Sequence, residues 1–282
     1  GALTVVDRNL ASRTGEGSIA AMRFATTLVQ FPLGLVSAAL SFAILPTLSH
    51  QIVQGDMHGY RRTLAAGLKA GLLLMIPAAV GLAVLSRPIV TVVFQYGLFD
   101  AEATSRTTLA LLLYLPQLPF VAVDQQLVFA FYARKNTVAP VLVGVVAGAG
   151  YLLTALLLLG PLGMRGLVIA NTAQNCLHAI IMVVLIRRAV PDFRELGFHG
   201  TVLKMLLAAA VMGALSYLTM LGVGEAVGTT GRLPALVGIV LAMGVGVGAY
   251  VALLSVLRVH EVQVAWRLVR RRLTRQPAPR AD

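Results

Sequence analysis

Charge is what this sequence has least of. Only 12% of its 282 residues are Asp, Glu, Lys or Arg, while 58% are hydrophobic and the mean hydropathy is +0.84. A soluble domain carries about 25% charged residues, so this chain lacks the groups needed to solvate the surface of a water-borne globule. Acidic residues are scarcer still, 11 against 23 basic ones, for a formal net charge of +12. In a soluble protein that excess would suggest a nucleic-acid partner; in a membrane protein it marks loops on the cytoplasmic side. The single cysteine, Cys176, excludes an internal disulfide and gives no reading of redox compartment. Motifs of catalysis are missing too. The five histidines, at 50, 58, 178, 199 and 260, show neither HExxH nor Cys/His metal spacing. There is no G-x-S-x-G elbow and no P-loop, and the Gly244-Val-Gly246-Val-Gly248 run lies inside an apolar block. The expectation is a protein that is not an enzyme and needs no cofactor. The chain opens Gly-Ala-Leu, with neither methionine nor the charged start of a signal peptide. It reads as a fragment whose N-terminal part is missing.

What the sequence does have is long apolar runs. They are continuous rather than alternating and reach twenty or more residues, the length that crosses a hydrocarbon core of about 30 Å as a helix. Seven spans are expected, over 18–47, 64–86, 107–132, 138–160, 165–186, 202–223 and 233–257. The predicted fold class is all-α, a polytopic membrane helix bundle. Residues 1–12 read as the end of an earlier helix. Pro32, Pro77, Pro116 and Pro119 fall inside spans and can kink them. With the C-terminus inside, the loop carrying Arg134 and Lys135 and that carrying Arg187 and Arg188 lie in the cytoplasm. The stretch from Val256 to Arg275 interleaves Val259, Val262, Trp266 and Val269 with arginines. It fits either a basic helix on an anionic leaflet or a solvated anchor.

Polar residues inside the spans are the functional signal. In the first span Arg23, Thr27, Gln30, Gly34, Ser37 and Ser41 follow at intervals of 4, 3, 4, 3 and 4, one face of a helix. In the third, Tyr114, Gln117, Asp124 and Gln125 form a shorter face that Tyr132 extends. In the fifth, Asn171, Gln174, Asn175 and His178 form another. Such groups are costly in lipid and must meet protein or water. Three stripes with an arginine, an aspartate and a histidine point to a shared hydrated cavity, with helix–helix hydrogen bonding as the alternative. Asp124, a carboxylate near the membrane interior, is either paired, protonated or part of an ion path, with Arg134 or another cavity arginine as the candidate partner. Segments two, six and seven carry almost no interior polar residues, so they are expected to face lipid or to pack through small residues. Gly144/Gly148 and Gly244/Gly248 have the GxxxG spacing of close helix approach.

Four stretches, in order, resemble the MurJ/MviN family of lipid II flippases, within the wider group of multidrug and polysaccharide exporters. They are Val6-Asp7-Arg8 through Gly15-Glu16-Gly17-Ser18 to Gln30-Phe31-Pro32-Leu33-Gly34; Leu45-Pro46-Thr47-Leu48-Ser49; Phe94-Gln95-Tyr96-Gly97-Leu98-Phe99; and Ala130-Phe131-Tyr132-Ala133-Arg134-Lys135-Asn136-Thr137 with Pro140. The resemblance implies the second half of a fourteen-helix transporter: a C-terminal lobe over 1–190, two additional helices over 191–257 and a basic cytoplasmic tail over 258–282. It implies a multi-pass protein of the bacterial cytoplasmic membrane that moves undecaprenyl-pyrophosphate-linked peptidoglycan precursor, lipid II, by alternating access. The partners implied are lipid II, membrane lipids and the missing N-terminal lobe, with no nucleic acid. The implied cavity residues are Arg23, Thr27, Gln30, Ser37, Gln117, Asp124, Gln125, Asn171, Gln174 and His178. Asp7 and Thr172 are candidate ion ligands, and Na+ or H+ is the candidate coupling ion. Family members often carry an arginine five residues before the proline of the first-span motif and an acid two before it; here those positions are Thr27 and Gln30. The alternatives left open are an exporter of polysaccharide lipids or drugs and a non-transporting cell-wall scaffold.

Overall fold

The computed structural model describes residues 17–190, 198–227 and 232–259. Asp7, the helix end expected over 1–12 and the tail beyond residue 259 lie outside the described residues. Within them the chain is helical: α1 (Ser18–Val53), α2 (Met57–Val84), α3 (Ser86–Phe94), α4 (Ala101–Tyr114), α5 (Gln117–Ala133), α6 (Val138–Leu162), α7 (Met164–Ala189), α8 (Phe198–Val227) and α9 (Arg232–Val256). Six of these helices are long and apolar enough to cross a membrane. The pair α4 and α5, bent by 46° at its junction, passes the same test of length and composition only when its two helices are taken together. The described residues thus hold six spans, or the expected seven with the bent pair counted as one, and the edges differ from those expected.

Local chemistry sets those edges. α1 runs through Pro32 and Pro46 and ends six residues later than expected, because packing within a membrane bundle tolerates the donor each proline removes. Gly55, at φ +71°, turns the chain back. Asp56 then caps α2 by accepting from the Gly59 amide at 2.8 Å. Asp100 does the same for α4, accepting from Ala103 at 2.7 Å. Gly163, at φ +53°, separates α6 from α7 just after Pro161.

Helices α1, α2, α5 and α7 form the packed centre, with α6 laid along α7 and the α8–α9 pair docked on α2. Segment two was expected to face lipid or to pack through small residues. α2 does the second: Gly67 and Gly71 are buried against Ile44, Gln126 and Ala122. The expected Gly244/Gly248 contact is corrected. Nothing lies within 4 Å of a Cβ built on either residue, while one on Gly238 would meet Met220 Sδ at 3.0 Å and one on Gly246 would meet Met212 Cγ at 3.2 Å. The close-approach face of α9 is therefore Gly238, Ala242 and Gly246, and the Ser216 hydroxyl on α8 donates across it to the Ala242 carbonyl at 3.0 Å. Tyr250 fastens α9 to α2 by donating to the Leu73 carbonyl at 3.0 Å.

Candidate functional site

α1 presents three faces. Ala25, Val29 and Val36 are buried against the bundle. Phe31, Leu35 and Phe42 are 78%, 67% and 83% exposed. Between these faces run Arg23, Thr27, Gln30 and Gly34, all exposed, continuing into half-buried Ser37 and Ser41. The predicted polar stripe is thus a surface of the lobe, uncovered by the described helices. The Thr27 hydroxyl is turned back onto the Arg23 carbonyl at 2.9 Å. Among the described residues no acid pairs with Arg23, so its guanidinium is the free cation of that face.

The second stripe divides. The Pro116 nitrogen carries no hydrogen, and the helix breaks between Tyr114 and Gln117. The Leu113 carbonyl at this break accepts from the Thr172 hydroxyl of α7 at 2.8 Å. Thr172, a candidate ion ligand, therefore stabilises the bend, and its oxygen lone pairs are still available to a cation. Beyond the break Gln117 and Asp124 face α7, while Gln125 faces α1 and accepts from Ser37 Oγ. Tyr114 is buried in the apolar cluster with Leu111 and Leu118, and Tyr132 is exposed.

The α5–α7 seam brings the second and third stripes together. Asn175 donates to Gln117 Oε1 at 2.6 Å and to the Asn171 carbonyl at 3.0 Å. One turn on, His178 Nδ1 and Asp124 Oδ1 are 2.7 Å apart, with the two side chains 18% and 20% exposed. Gln174 is half-buried beside them. The expectation that an arginine partners Asp124 is corrected: the partner is His178. Arg134 sits at the far end of α5 and donates to the Ala189 carbonyl at 2.9 Å, tying the ends of α5 and α7 together.

Two features escaped sequence reasoning. Gln126, next to Gln125, is fully buried against Gly67, and neither of its amide atoms has a hydrogen-bond partner among the described residues. The Gln-Gln doublet was visible, but only the helical register assigns one glutamine to α1 and the other to α2. The other feature is the hold that the already recognised Phe94–Phe99 motif takes on α1. The motif is a turn through Gly97 at φ +61°, and Phe94 and Phe99 hold the Phe24 ring of α1 at centroid distances of 4.7 and 5.2 Å. Arg232 at the start of α9 donates to the Gln95 carbonyl at 2.9 Å and lies 5.6 Å from the Tyr96 ring centroid.

A family model described as lipid II flippase MurJ matches residues 3–238. This chain belongs to the MurJ family. A probable lipid II flippase MurJ of Rhizobium tropici is 30% identical over 95% of this chain and 50% of its own length. One from Bdellovibrio bacteriovorus is 31% identical over 74% of this chain and 40% of its own. The lipid II flippase MurJ of Burkholderia cenocepacia is 29% identical over 76% and 41%. A solved structure of a lipid II flippase MurJ in an inward closed conformation matches with a TM-score of 0.75 at 24% identity, covering 90% of this chain and 50% of that one. That last likeness speaks for the fold. The chain spans about half the length of the MurJ relatives it matches.

Proposed function

We propose that this chain is the C-terminal lobe of a lipid II flippase, which carries the lipid-linked peptidoglycan precursor from the inner to the outer leaflet of a bacterial cytoplasmic membrane. The match to the MurJ family across residues 3–238 carries this reading. Because the relatives are about twice as long, a second lobe completes the pathway. The exposed polar face of α1 is where the two lobes meet over the substrate.

The chemistry supports that placement. A pyrophosphate headgroup is a multivalent anion, and arginine offers planar, bidentate donors to its oxygens. A polar surface spares the headgroup passage through hydrocarbon. Arg23 is the primary headgroup contact, with Gln30, Ser37 and Gln125 extending the polar wall. Thr27 stands where family members often have arginine, so this chain relies on Arg23 one turn earlier. The α5–α7 seam of Gln117, Asp124, Asn171, Gln174, Asn175 and His178 lies behind that wall and sets its shape. Thr172, with Asp7, remains the candidate pair for a coupling cation.

Charge supports the proposed orientation. Among the described residues, the end that carries the α1–α2, α5–α6 and α7–α8 turns holds nine basic groups and one acid; the opposite end holds five basic groups and three acids. The basic end, with the C-terminus, is cytoplasmic.

The test is lipid II flipping by the intact protein in proteoliposomes. Arg23→Ala should lower the initial rate about tenfold or more, the worth of one charge-assisted contact, without loss of membrane insertion. An unchanged rate would remove Arg23 from the pathway. No flipping by correctly folded protein would turn the assignment toward another lipid-linked cargo.

A further inference from the structure

The Asp124–His178 pair offers more than helix packing. Both side chains lie deep in spans: His178 is 14 residues from the start of α7 and 11 from its end. Ionisable groups at such depth are costly and mark ion or substrate pathways by default. At about one-fifth exposure each, they are only partly covered by the described helices.

With the Asp124 carboxylate ionised, the bond at Nδ1 makes that nitrogen the donor and leaves Nε2 as the basic atom. Nε2 points at α6, where a Cβ built on Gly144 would stand 3.8 Å away. That is ordinary van der Waals distance, and glycine offers Nε2 no side-chain acceptor. The surroundings supply no competing charge. Among the described residues packed against α7, α5 brings Asp124 and, at its far end, Arg134, which is bound to the Ala189 carbonyl. α4 brings Tyr114 and α6 brings Tyr151, both buried in the apolar cluster toward the other end of the bundle. α1 brings Arg23, exposed near its own start, and α7 itself adds Cys176 and arginines at its two ends.

We propose that Asp124 and His178 form a proton-binding site that couples proton movement to rearrangement of α6 against α7. A proton taken from water adds to Nε2, the Nδ1–H bond to Asp124 persists, and the pair changes from net charge −1 to a neutral ion pair. The proton returns to water when the site next opens. The two states favour different spacings of the helices. Unprotonated, Nε2 can rest beside Gly144 with no hydrogen to satisfy. Protonated, its N–H demands an acceptor, which only water or a displaced α6 can provide. A ligand that distinguishes two conformations shifts their balance, and here that ligand is H+.

The proposal rests on the transport reading and specifies its coupling ion. The experiment uses the intact protein with two independent readouts. The first is lipid II flipping in sodium-free proteoliposomes with and without an imposed proton gradient. The parent rate should change about fivefold or more with the gradient, and that ratio should fall to near one in Asp124→Asn and in His178→Asn. The asparagine at 178 keeps a donor for Asp124 but has no second basic nitrogen. The second readout is the imidazole signal of His178 in histidine-labelled protein, assigned by its loss in His178→Asn. It should respond to added acid, and Asp124→Asn should alter that response. Flipping that ignores the gradient, or variants that keep the parent ratio, would overturn the proposal and leave the flippase reading intact. A His178 signal that does not titrate would overturn it as well. Absence of flipping together with an Asp124-dependent titration would uphold the proton site and remove lipid II as the cargo.

Discussion

Asn175 is the residue on which the α5–α7 seam turns. Its side-chain amide donates both to buried Gln117 and to the Asn171 carbonyl one turn before it. Asn175→Ala would strand Gln117 Oε1, which is 5% exposed. Interhelical hydrogen bonds in membranes average roughly 0.6 kcal/mol, and an unsatisfied buried group adds to that. We expect a loss of about 1–2 kcal/mol, read as a lower unfolding midpoint in detergent. Gln174→Ala should stay within about 0.5 kcal/mol, since the Gln174 side chain makes no hydrogen bond among the described residues. Residue chemistry was legible in part. Polar types at helical spacing marked Gln117, Asp124, Asn175 and His178 as sharing faces, but not which partner each would find. Arg134 attracted the Asp124 assignment because charge is easy to read in a sequence. Nine residues of α5 separate the two, and only the packing of α7 reveals His178 as the nearer base.

At the scale of helices, continuous apolar runs gave the spans, because a bilayer constrains length more tightly than water does. The ends shifted where polar residues still had helical partners: Arg61 and Arg62 lie inside α2 rather than before it. α3 escaped notice because its nine residues merge into the apolar run of α2, and only the turn at Leu85 separates the two. The break at Pro116 was anticipated from proline chemistry, but its capture by Thr172 was not, since that depends on a helix 59 positions away. The α8–α9 contact gives the sharpest element-scale prediction. Gly246→Leu should force the helices apart, because Met212 and Ser216 already occupy the space a side chain needs. A cost of about 1–3 kcal/mol is expected. Gly244→Leu and Gly248→Leu should be tolerated, as both face open space. Disulfide trapping of cysteine pairs placed across α8 and α9 would distinguish them: its efficiency should drop for the first variant alone. The GxxxG spacing was present in the sequence but two residues out of register, since a glycine-rich helix offers several such frames.

For the whole molecule, seven crossings and the clustering of basic groups at one end predict a sided protein. On a Cys176→Ser background, a cysteine at Lys135 should react with an impermeant thiol reagent only from the cytoplasmic side. One at Asp100 should react only from the opposite side. Labelling of both from a single side would overturn the seven-span topology. The family was legible from short motifs, two of which prove to be clamps: the Phe94–Phe99 turn grips Phe24, and the Arg134 segment joins α5 to α7. What those motifs could not convey is that the polar face of α1 is left bare while Asn175 pairs with Gln117 and His178 with Asp124 across the α5–α7 seam.

The length of α1 carries one more consequence. Thirty-six residues make a rod of about 54 Å, nearly twice the hydrocarbon thickness of about 30 Å, and α2 at 28 residues is about 42 Å long. Ordinary tilts of about 20° absorb only a few ångströms of that excess. The α1–α2 hairpin is therefore longer than the apolar layer is thick, and near its turn Gln51 Nε2 donates to Thr63 Oγ1 at 2.9 Å and joins its two arms. What lies beyond that layer is a stiff, cross-tied spur of helix rather than a loose loop.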